Sequence, residues 1–502
     1  MKRTRRRARL VVSADGENVV SHVGARLLSE LADAVDLTAG LSVAMAPTKQ
    51  RRRGHDRGEV LVDLAVMIAD GGDAISDLVV LRNQPELFGE VASTPTAWRT
   101  LEAIDTAALA RIAAARAQAR RRVWAAGADP GFYVIDIDAT LITAHSDKQD
   151  AAPTYKRGFG HHPLLAFLDA TGEALAGILR PGNAGSNTAS DHIEILALAL
   201  AQLPIDPTVV EVVARADSAG LTHGFVNACR DSGVRFSIGY DLTEPVRAAC
   251  LSVGERAWRP AVTADGADDR EGAEVTEITH LIDLSRWPAG TRAIARREEP
   301  HPGAQLTFTD TDGHRFQVFI TDQTEPDIAY LEALQRGRGR AEKLICDAKN
   351  TGLTNLPSAA MAINAAWLTT ALIAPTYSPG RDSSSSTAIW PGPNRNASAI
   401  ASSMSPGSSS APADACTCGS PADGRGPPNS SSRSNESSSS GSSPESDPRP
   451  PTPHTLTKST NPPPHDPPVH HARTPPLRHT DAPTSTAPFP SPATSLLPKG
   501  SG

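Results

Sequence analysis

Three separate segments of the sequence carry acidic residues in settings where carboxylate chemistry is expected. Asp136 and Asp138 alternate with isoleucines in an apolar run, so the period of a β-strand places both carboxylates on one face. An ionised carboxylate is costly to bury without a partner or a metal ion. These residues alone therefore leave two interpretations open: a strand end at which both side chains reach water, or half of a metal site.

Two further carboxylates could complete such a site. A second apolar run ends in Asp217 and a glycine turn, and Glu342 stands in a helical segment near the end of the part that should fold. Taken singly, such residues are more often capping or solvated groups. If Asp138, Asp217 and Glu342 converge, however, they repel one another unless divalent cations lie among them. Mg²⁺ prefers oxygen ligands, and two ions about 4 Å apart can bind the attacking and leaving oxygens of a phosphodiester.

The elements that must position these residues follow from the hydrophobic pattern. After the acidic strand comes a polar loop, and then two apolar runs with turn residues between them, which predict a hairpin. In chain order, the pattern predicts strands at 132–142, 163–169 and 174–179, a helix at 191–203, strands at 209–217 and 235–240, a mainly β region at 241–320, and helices at 332–348 and 359–374. This order predicts an α/β fold whose first three strands are antiparallel.

Basic residues are concentrated locally although the net charge of the 502 residues is −7. Residues 1–125 are predicted to be mostly helical, and the arginines of 111–122 can largely share one helical face. Such a face is either solvated or bound to DNA phosphates, and Arg116 and Arg120 are the candidates for phosphate contacts. We therefore expect a DNA-binding region at 1–125.

Composition indicates the compartment. The five scattered cysteines have no framework spacing, which indicates a reducing environment without structural disulfides. No apolar run is long enough for a membrane helix, and the N-terminus lacks a signal-peptide core. We therefore expect a soluble protein of the cytoplasm, associated with the nucleoid and not with a membrane.

The character of the chain changes near residue 376, where proline and serine begin to dominate. Such sequence cannot bury enough apolar surface to offset the entropy of ordering, so disorder is predicted for 376–502. The change also fits out-of-frame translation of GC-rich DNA. In that case the chain has lost a native C-terminal helical region and its activity is impaired.

Three segments together resemble the DDE transposases of bacterial insertion sequences. They are 136–140, 216–220 and 338–349. The third resembles the Tyr-Arg-Glu-Lys-type motif of the insertion-sequence family 1380 group, because Arg338, Glu342 and Lys349 fall in register with it. Gln335 stands where that motif has tyrosine, and this departure puts the role of the tyrosine in doubt.

The resemblance implies a ribonuclease-H-like catalytic core at 126–375, with 241–320 as a β insertion. It implies that Asp138, Asp217 and Glu342 hold two Mg²⁺ or Mn²⁺ ions, with Asp136 as a possible alternative ligand. The implied DNA contacts are Arg338, Arg340 and Lys349. The implied activity is cleavage at the element ends followed by strand transfer, carried out by a homodimer that binds terminal inverted repeats and target DNA.

Two other classes of function compete for the same residues. Asp136 and Asp138 also resemble the first motif of haloacid-dehalogenase-type phosphatases, in which Asp136 would be the nucleophile and Asp138 the general acid and base. That fold needs a helix after the first strand, whereas this sequence predicts a hairpin. A DNA-binding protein without catalytic activity is the third class, and it leaves the acidic strands unexplained.

Overall fold

A computed structural model describes residues 10–13, 21–49, 54–300, 310–311, 313–374 and 416–419. Its α-helices are α1 (Val23–Ala34), α2 (Leu37–Met45), α3 (Arg57–Ala69), α4 (Val79–Arg82), α5 (Pro85–Phe88), α6 (Thr94–Glu102), α7 (Thr106–Val123), α8 (Ala189–Leu200), α9 (His223–Asp231), α10 (Glu244–Ser252), α11 (Ile328–Arg336), α12 (Gly339–Ala348) and α13 (Met361–Ala371). Its strands are β1 (Leu10–Ser13), β2 (Tyr133–Ala139), β3 (Ile142–Thr143), β4 (Ala152–Pro153), β5 (Phe159–His161), β6 (Leu164–Leu168), β7 (Glu173–Ile178), β8 (Val212–Ala216), β9 (Arg235–Tyr240), β10 (Arg259–Val262), β11 (Asp269–Glu277), β12 (Arg292–Glu298), β13 (Asp310–Thr311), β14 (His314–Thr321) and β15 (Cys416–Gly419).

A ten-stranded mixed sheet is the centre of the fold. Its strand order is β10-β11-β12-β14-β9-β8-β2-β6-β7, with β13 paired to β14. Strand β2 is antiparallel to β6, and β6 is antiparallel to β7, whereas β2, β8 and β9 are parallel to one another. The fold is therefore mixed α/β with a large mixed sheet and many helices, as the sequence predicts.

The predicted β region at 241–320 extends this sheet instead of forming a separate one. Strand β14 pairs antiparallel with β9, and β12, β11 and β10 continue from it in order. Helix α10 precedes these strands and packs on the same core as β9. The main sheet therefore continues through strands on both sides of the two acidic ones.

A small three-stranded sheet replaces part of the predicted loop between β2 and β6. Its order is β3-β5-β4, and both pairings are antiparallel. The strands come so close at Gly160 that a Cβ there would lie 1.9 Å from the carbonyl oxygen of Ile142. Glycine is needed at this position because any side chain would separate the two strands. The polar composition of the segment conceals this backbone pairing.

Helices cover both faces of the large sheet. On one face, Ile135 and Ile137 of β2 pack with α8 and α9, for example against Phe225. On the other face, α13 and the N-terminal helices share a core that includes Phe167 and Trp367. This two-sided packing is the usual solution for a sheet with apolar residues on both faces. The face opposite the isoleucines of β2 is the one that carries Asp136 and Asp138.

The predicted disordered tail at 376–502 lies outside the described residues, except for β15. This short strand pairs in parallel with β1. The described helices include none that is long and apolar enough to span a membrane.

Candidate active site

Two parallel strands and one helix bring the predicted carboxylates together. Asp138 is near the end of β2 and Asp217 follows β8 directly. Because β2 and β8 are parallel neighbours, both side chains lie at the same carboxyl edge of the sheet. Helix α12 packs against β2. Arg338 immediately precedes this helix, and Glu342 lies in its first turn.

One guanidinium group joins the three carboxylates. Arg338 donates a hydrogen bond from Nη1 to Oδ2 of Asp138 at 3.0 Å. Its Nη2 lies 3.8 Å from Oδ2 of Asp217 and 3.7 Å from Oε1 of Glu342. The structure therefore brings Asp138, Asp217 and Glu342 around a single positive charge, although they come from positions up to 204 residues apart in the chain.

The cluster opens gradually from the protein interior to solvent. The exposed fraction of the side chain rises from 14% at Asp138 to 40% at Asp217 and 69% at Glu342. Burial raises the pKa of Asp138, and the charge of Asp217 raises it further, while Arg338 opposes both effects. A cation is therefore favoured beside these carboxylates, on the side that solvent can reach.

Asp136 lies behind the cluster and has a different environment. Both of its oxygens accept hydrogen bonds from Arg215, at 2.5 Å from Nε and 2.7 Å from Nη2, and neither side chain is exposed at all. Burial raises the pKa of Asp136 to about 6, against the attraction of Arg215. This bidentate pair occupies both carboxylate oxygens, which corrects the prediction that Asp136 is an alternative metal ligand.

The same buried geometry excludes the phosphatase interpretation. A nucleophile must reach its substrate, whereas Asp136 is enclosed and bound to Arg215. In addition, the small sheet and then the β6–β7 hairpin follow β2 where a phosphatase of that type needs a helix.

The ion pair of Asp136 with Arg215 belongs to a network that reaches α12. Asp169, directly after β6, lies 3.1 Å from Nη2 of Arg215 and accepts a hydrogen bond from Nε of Arg340 at 2.6 Å. Burial alone would raise the pKa of Asp169, but the two guanidinium groups outweigh it and lower the pKa. Asp169 therefore holds the Arg340 guanidinium in the network, while the Arg340 side chain stays 32% exposed, so its contact with DNA stays a prediction.

Gly337, at the bend between α11 and α12, leaves space for the guanidinium groups of Arg215 and Arg340. A Cβ at Gly337 would lie 2.6 Å from Nη1 of Arg215 and 2.7 Å from Nη2 of Arg340. Arg215 also donates to the carbonyl oxygen of Leu334 in α11. The bend that presents Arg338 and Glu342 is thus fastened to the strand that precedes Asp217.

Each carboxylate of the cluster has a network residue two positions before it in the chain. The three pairs are Asp136 and Asp138, Arg215 and Asp217, and Arg340 and Glu342. The buried network therefore fixes each backbone segment that carries an acidic side chain of the cluster. The sequence interpretation missed Arg215 and Asp169, although an arginine inside an apolar strand already signals a buried partner.

Gln335, at the position of the missing motif tyrosine, makes a different link. Its Nε2 donates to the carbonyl oxygen of Ala216 at 3.2 Å, and its Oε1 accepts from Oγ of Ser237 at 2.7 Å. The side chain therefore ties α11 to β8 and β9 immediately before Asp217. In this chain the position holds the site together, which the sequence motif gave no reason to expect.

Arg116 and Arg120 of α7 are buried, contrary to the sequence prediction. Arg116 donates to the carbonyl oxygens of Ala174 and Leu372, and Arg120 binds the carboxylate of Glu173 at 2.8 and 2.9 Å. The two arginine residues are only 7% and 4% exposed. The prediction that Arg116 and Arg120 bind DNA phosphates is therefore wrong, because their guanidinium groups fasten α7 to β7 and α13.

Lys349, at the end of α12, remains available on the surface beside the cluster. It is partly exposed and has no ion pair within the described part of the chain. Partial burial lowers its pKa, Cys346 opposes this effect, and the charge of Lys156 in the β4–β5 turn lowers the pKa further. Because the two ammonium groups repel each other, an anion near both would be favoured.

A cleft of about 490 Å³ opens beside Asp217. Tyr155 forms part of its wall, and Asp217, Ser218, Ala219 and Asp241 form another part. The segment 182–187, made of small and polar residues, completes the lining. Asp217 of the acidic cluster is therefore accessible to a ligand that enters through this cleft.

Among the described residues, no group of three His, Cys, Asp or Glu side chains is already spaced as a metal site. Arg338 supplies the positive charge among the three carboxylates in this arrangement. Their oxygen atoms are the ligand type that Mg²⁺ and Mn²⁺ accept, so the donor set fits these ions chemically.

Comparison with known proteins identifies the family. The family model described as Transposase DDE domain group 1 matches residues 2–377. Among solved structures, the chain is similar to a piggyBac transposase synaptic complex with hairpin DNA, at 10% identity and a TM-score of 0.34, over 70% of this chain and 75% of that chain. No curated protein matches. Because the family model spans well over half of the 502 residues, this chain belongs to the transposase DDE domain family, group 1.

Proposed function

We propose that the chain is the transposase of an insertion sequence of the family 1380 group, which cuts the ends of its element and joins them to target DNA. The observation that carries this proposal is the convergence of Asp138, Asp217 and Glu342 on Arg338. Three carboxylates at a solvent-accessible sheet edge, held from behind by a buried ionic network, are suited to phosphoryl transfer.

The three carboxylates would hold two Mg²⁺ or Mn²⁺ ions. When bound, such ions activate the attacking oxygen and neutralise charge that develops on the phosphodiester. The chain itself supplies rigid positioning, since in-line displacement depends mainly on the placement of the reacting groups. Asp138 is the most enclosed of the three and Glu342 the most exposed, so Glu342 can adjust as DNA enters.

Arg338 and Lys349 would contact DNA phosphates beside the carboxylates. Arg338 already donates to Asp138 and points its second nitrogen at the other two carboxylates. A guanidinium in this position can also donate to a phosphate oxygen placed among them. Lys349 immediately follows α12 and would add a second positive charge on the same element.

The wider architecture supports the same proposal. The antiparallel β2, β6 and β7, followed by the parallel β8 and β9, agree with a ribonuclease-H-like core at 126–375. We assign recognition of the terminal inverted repeats to the helical region at 1–125, and we assign synapsis of two ends to a homodimer. Because phosphate contacts dominate such binding, its affinity should fall steeply with salt.

The test uses DNA fragments that carry the ends of the element encoding this chain. We expect Asp138→Asn, Asp217→Asn and Glu342→Gln each to reduce cleavage and strand transfer in Mg²⁺ at least 1,000-fold, on the order expected for losing a group that stabilises transition-state charge. Binding of the ends, measured by gel mobility shift, should change little. Asp347→Asn is the matched control, because Asp347 is exposed on the same helix but outside the cluster.

The outcomes separate three cases. Cleavage by the Asp217→Asn protein at the wild-type rate would overturn the catalytic assignment. Binding of the ends by the wild type without any cleavage in Mg²⁺ or Mn²⁺ would instead identify a DNA-binding protein that has lost its activity. If the wild type neither binds nor cuts these ends, the proposed function is wrong.

A further inference from the structure

An exposed aromatic ring stands at the tip of the β4–β5 hairpin. Tyr155 is 69% exposed, which is unusual for a large ring in a well-formed turn. The turn is closed by Thr154, whose N–H donates to the carbonyl oxygen of Gly158 at 2.8 Å and whose Oγ1 accepts from the Gly158 N–H at 3.1 Å. The ring is thus presented on a defined scaffold but contributes little to the protein core.

The hairpin is fastened to the body of the protein on its inner side. His161 contacts the carbonyl oxygen of Gln149, whose N–H donates to the carbonyl oxygen of Ala359. At Gly182, a Cβ would lie 2.2 Å from the carbonyl oxygen of Gly160. This close backbone contact joins the hairpin to the segment that lines the cleft, so the ring and the cleft have a fixed relation.

Tyr155 and Asp217 line the same cleft. Its volume, about 490 Å³, falls within the range of roughly 300–1,000 Å³ that small-ligand sites occupy. Asp217 and Asp241 make part of the lining acidic, which disfavours an anionic group there unless the cations proposed for the carboxylates are bound. A flat, uncharged ring such as a nucleobase meets no such repulsion, and Tyr155 offers it a stacking surface.

Positive charge lies at the ring itself. Lys156 places its Nζ over the face of the Tyr155 ring, 5.7 Å from the ring centre, and Arg157 follows at the turn. Lys156 is also close enough to Lys349 of α12 to lower its pKa, in addition to the larger effect of burial. Lys156, which contacts the ring, can therefore bind a phosphate that flanks a base on Tyr155, and Lys349 of α12 can supply a second positive charge.

We propose that Tyr155 stacks an unpaired base at the DNA end, while Lys156 and Lys349 hold the phosphate next to it. The inference deepens the proposed function and rests on it. Stacking one base would align the strand so that the neighbouring phosphodiester enters the cluster at Asp217. The ligand is single-stranded or frayed DNA, since a base inside a duplex cannot present its face to the ring.

The experiment compares binding of the full chain to two forms of the element end, one a blunt duplex and one with an unpaired terminal segment. Fluorescence anisotropy gives both affinities in Ca²⁺, so that cleavage does not interfere. We expect the wild type to prefer the unpaired form and Tyr155→Ala to lose about 10-fold in affinity for that form alone, the effect expected for one stacked base. Tyr155→Trp should retain the preference.

Two controls make the result specific. Phe159→Ala removes an aromatic ring of the same hairpin that is 38% exposed but does not line the cleft, and it should leave the preference unchanged. Lys156→Ala and Lys349→Ala should weaken both DNA forms alike and reduce the slope of log affinity against log salt by about one each.

The proposal is overturned if the wild type shows no preference for the unpaired form, or if Tyr155→Ala keeps that preference. Either result, with normal cleavage by the wild type, would reject only the role of Tyr155 and leave the proposed function standing. Absence of all DNA binding by the wild type would reject both.

Discussion

Replacing Asp136 and Asp138 one at a time should distinguish an aspartate that stabilises the fold from one that acts in the candidate active site. The two residues share a strand, a face and a side-chain type. Any difference between the two variants therefore reflects the surroundings of the carboxylate that is removed. Asp136 is fully buried on Arg215, whereas Asp138 lies at the edge beside Arg338. We predict that Asp136→Ala destabilises the protein strongly and that Asp138→Ala does so only slightly.

The magnitude for Asp136→Ala follows from what Arg215 loses. Removing one partner of a buried ion pair usually costs about 3–5 kcal/mol, because the other charge stays buried without compensation. Arg215 would keep Asp169 at 3.1 Å and its bond to the carbonyl oxygen of Leu334. We therefore expect a loss of about 3 kcal/mol in the free energy of unfolding, a large share of the roughly 5–15 kcal/mol of a typical domain.

For Asp138→Ala, opposing effects nearly cancel. The variant loses one charge-assisted hydrogen bond, worth about 1.5–3 kcal/mol, between Arg338 and Asp138. It also removes a carboxylate whose pKa is raised by burial and by Asp217, which means that its charged form is disfavoured in the folded protein. We expect a net change within about 1 kcal/mol, together with complete loss of DNA cleavage.

Urea unfolding in EDTA, followed by tryptophan fluorescence, measures both changes without bound metal. Asp147→Ala, an exposed position in the loop after β3, is the control for removing an acidic side chain. An Asp136→Ala protein within 1 kcal/mol of the wild type would refute the structural role of the Arg215 pair. Equal destabilisation by both variants would refute the distinction between the two aspartates.

Two further predictions concern groups away from the cluster. At pH 8, iodoacetamide should modify Cys346, which is exposed on α12, while Cys229 and Cys250 should resist, because burial raises the pKa of both thiols. Peptide mapping by mass spectrometry measures the labelling of each cysteine, and equal labelling of all three would contradict this prediction. Asp322→Asn should stabilise the protein at pH 7, because burial raises the pKa of Asp322 and the folded wild type therefore loses stability as the pH rises above the unfolded pKa. The amide oxygen of the variant can still accept from the N–H of Phe236. A stability difference between variant and wild type that does not grow between pH 3 and 7 would contradict this prediction.

Periodicity was sufficient to locate the elements of the cluster. The alternation of isoleucine and aspartate marked β2, and the turn between two apolar runs marked the β6–β7 hairpin. The four-residue spacing placed Arg338, at the start of α12, on the same side as Glu342. These are local signals, and each depends on residues close together in the chain. The convergence of the elements required the resemblance, because no local pattern links Asp138 to Glu342.

The arginines of α7 show where a local pattern fails. A helical face of arginines looks the same in sequence whether it faces solvent, DNA or the protein interior. The acceptors of Arg116 are the backbone carbonyl oxygens of Ala174 and Leu372, 58 and 256 residues away. Backbone acceptors exist at every residue, so they leave no mark in the sequence by which the partner could be recognised.

The choice between Asp136 and Asp138, by contrast, needed only one fact beyond the sequence, the pairing of β2 with β8. Arg215 interrupts an apolar strand, and a charge there needs an opposite charge on a neighbouring strand. Because β2 and β8 are parallel, with Asp136 opposite Arg215, an equal step of two residues along both strands leads to Asp138 and Asp217. The pairing of the buried charges therefore sets the register that brings the two outer carboxylates side by side. Had the strand order been known, Arg215 alone would have assigned Asp136 to the interior and Asp138 to the site.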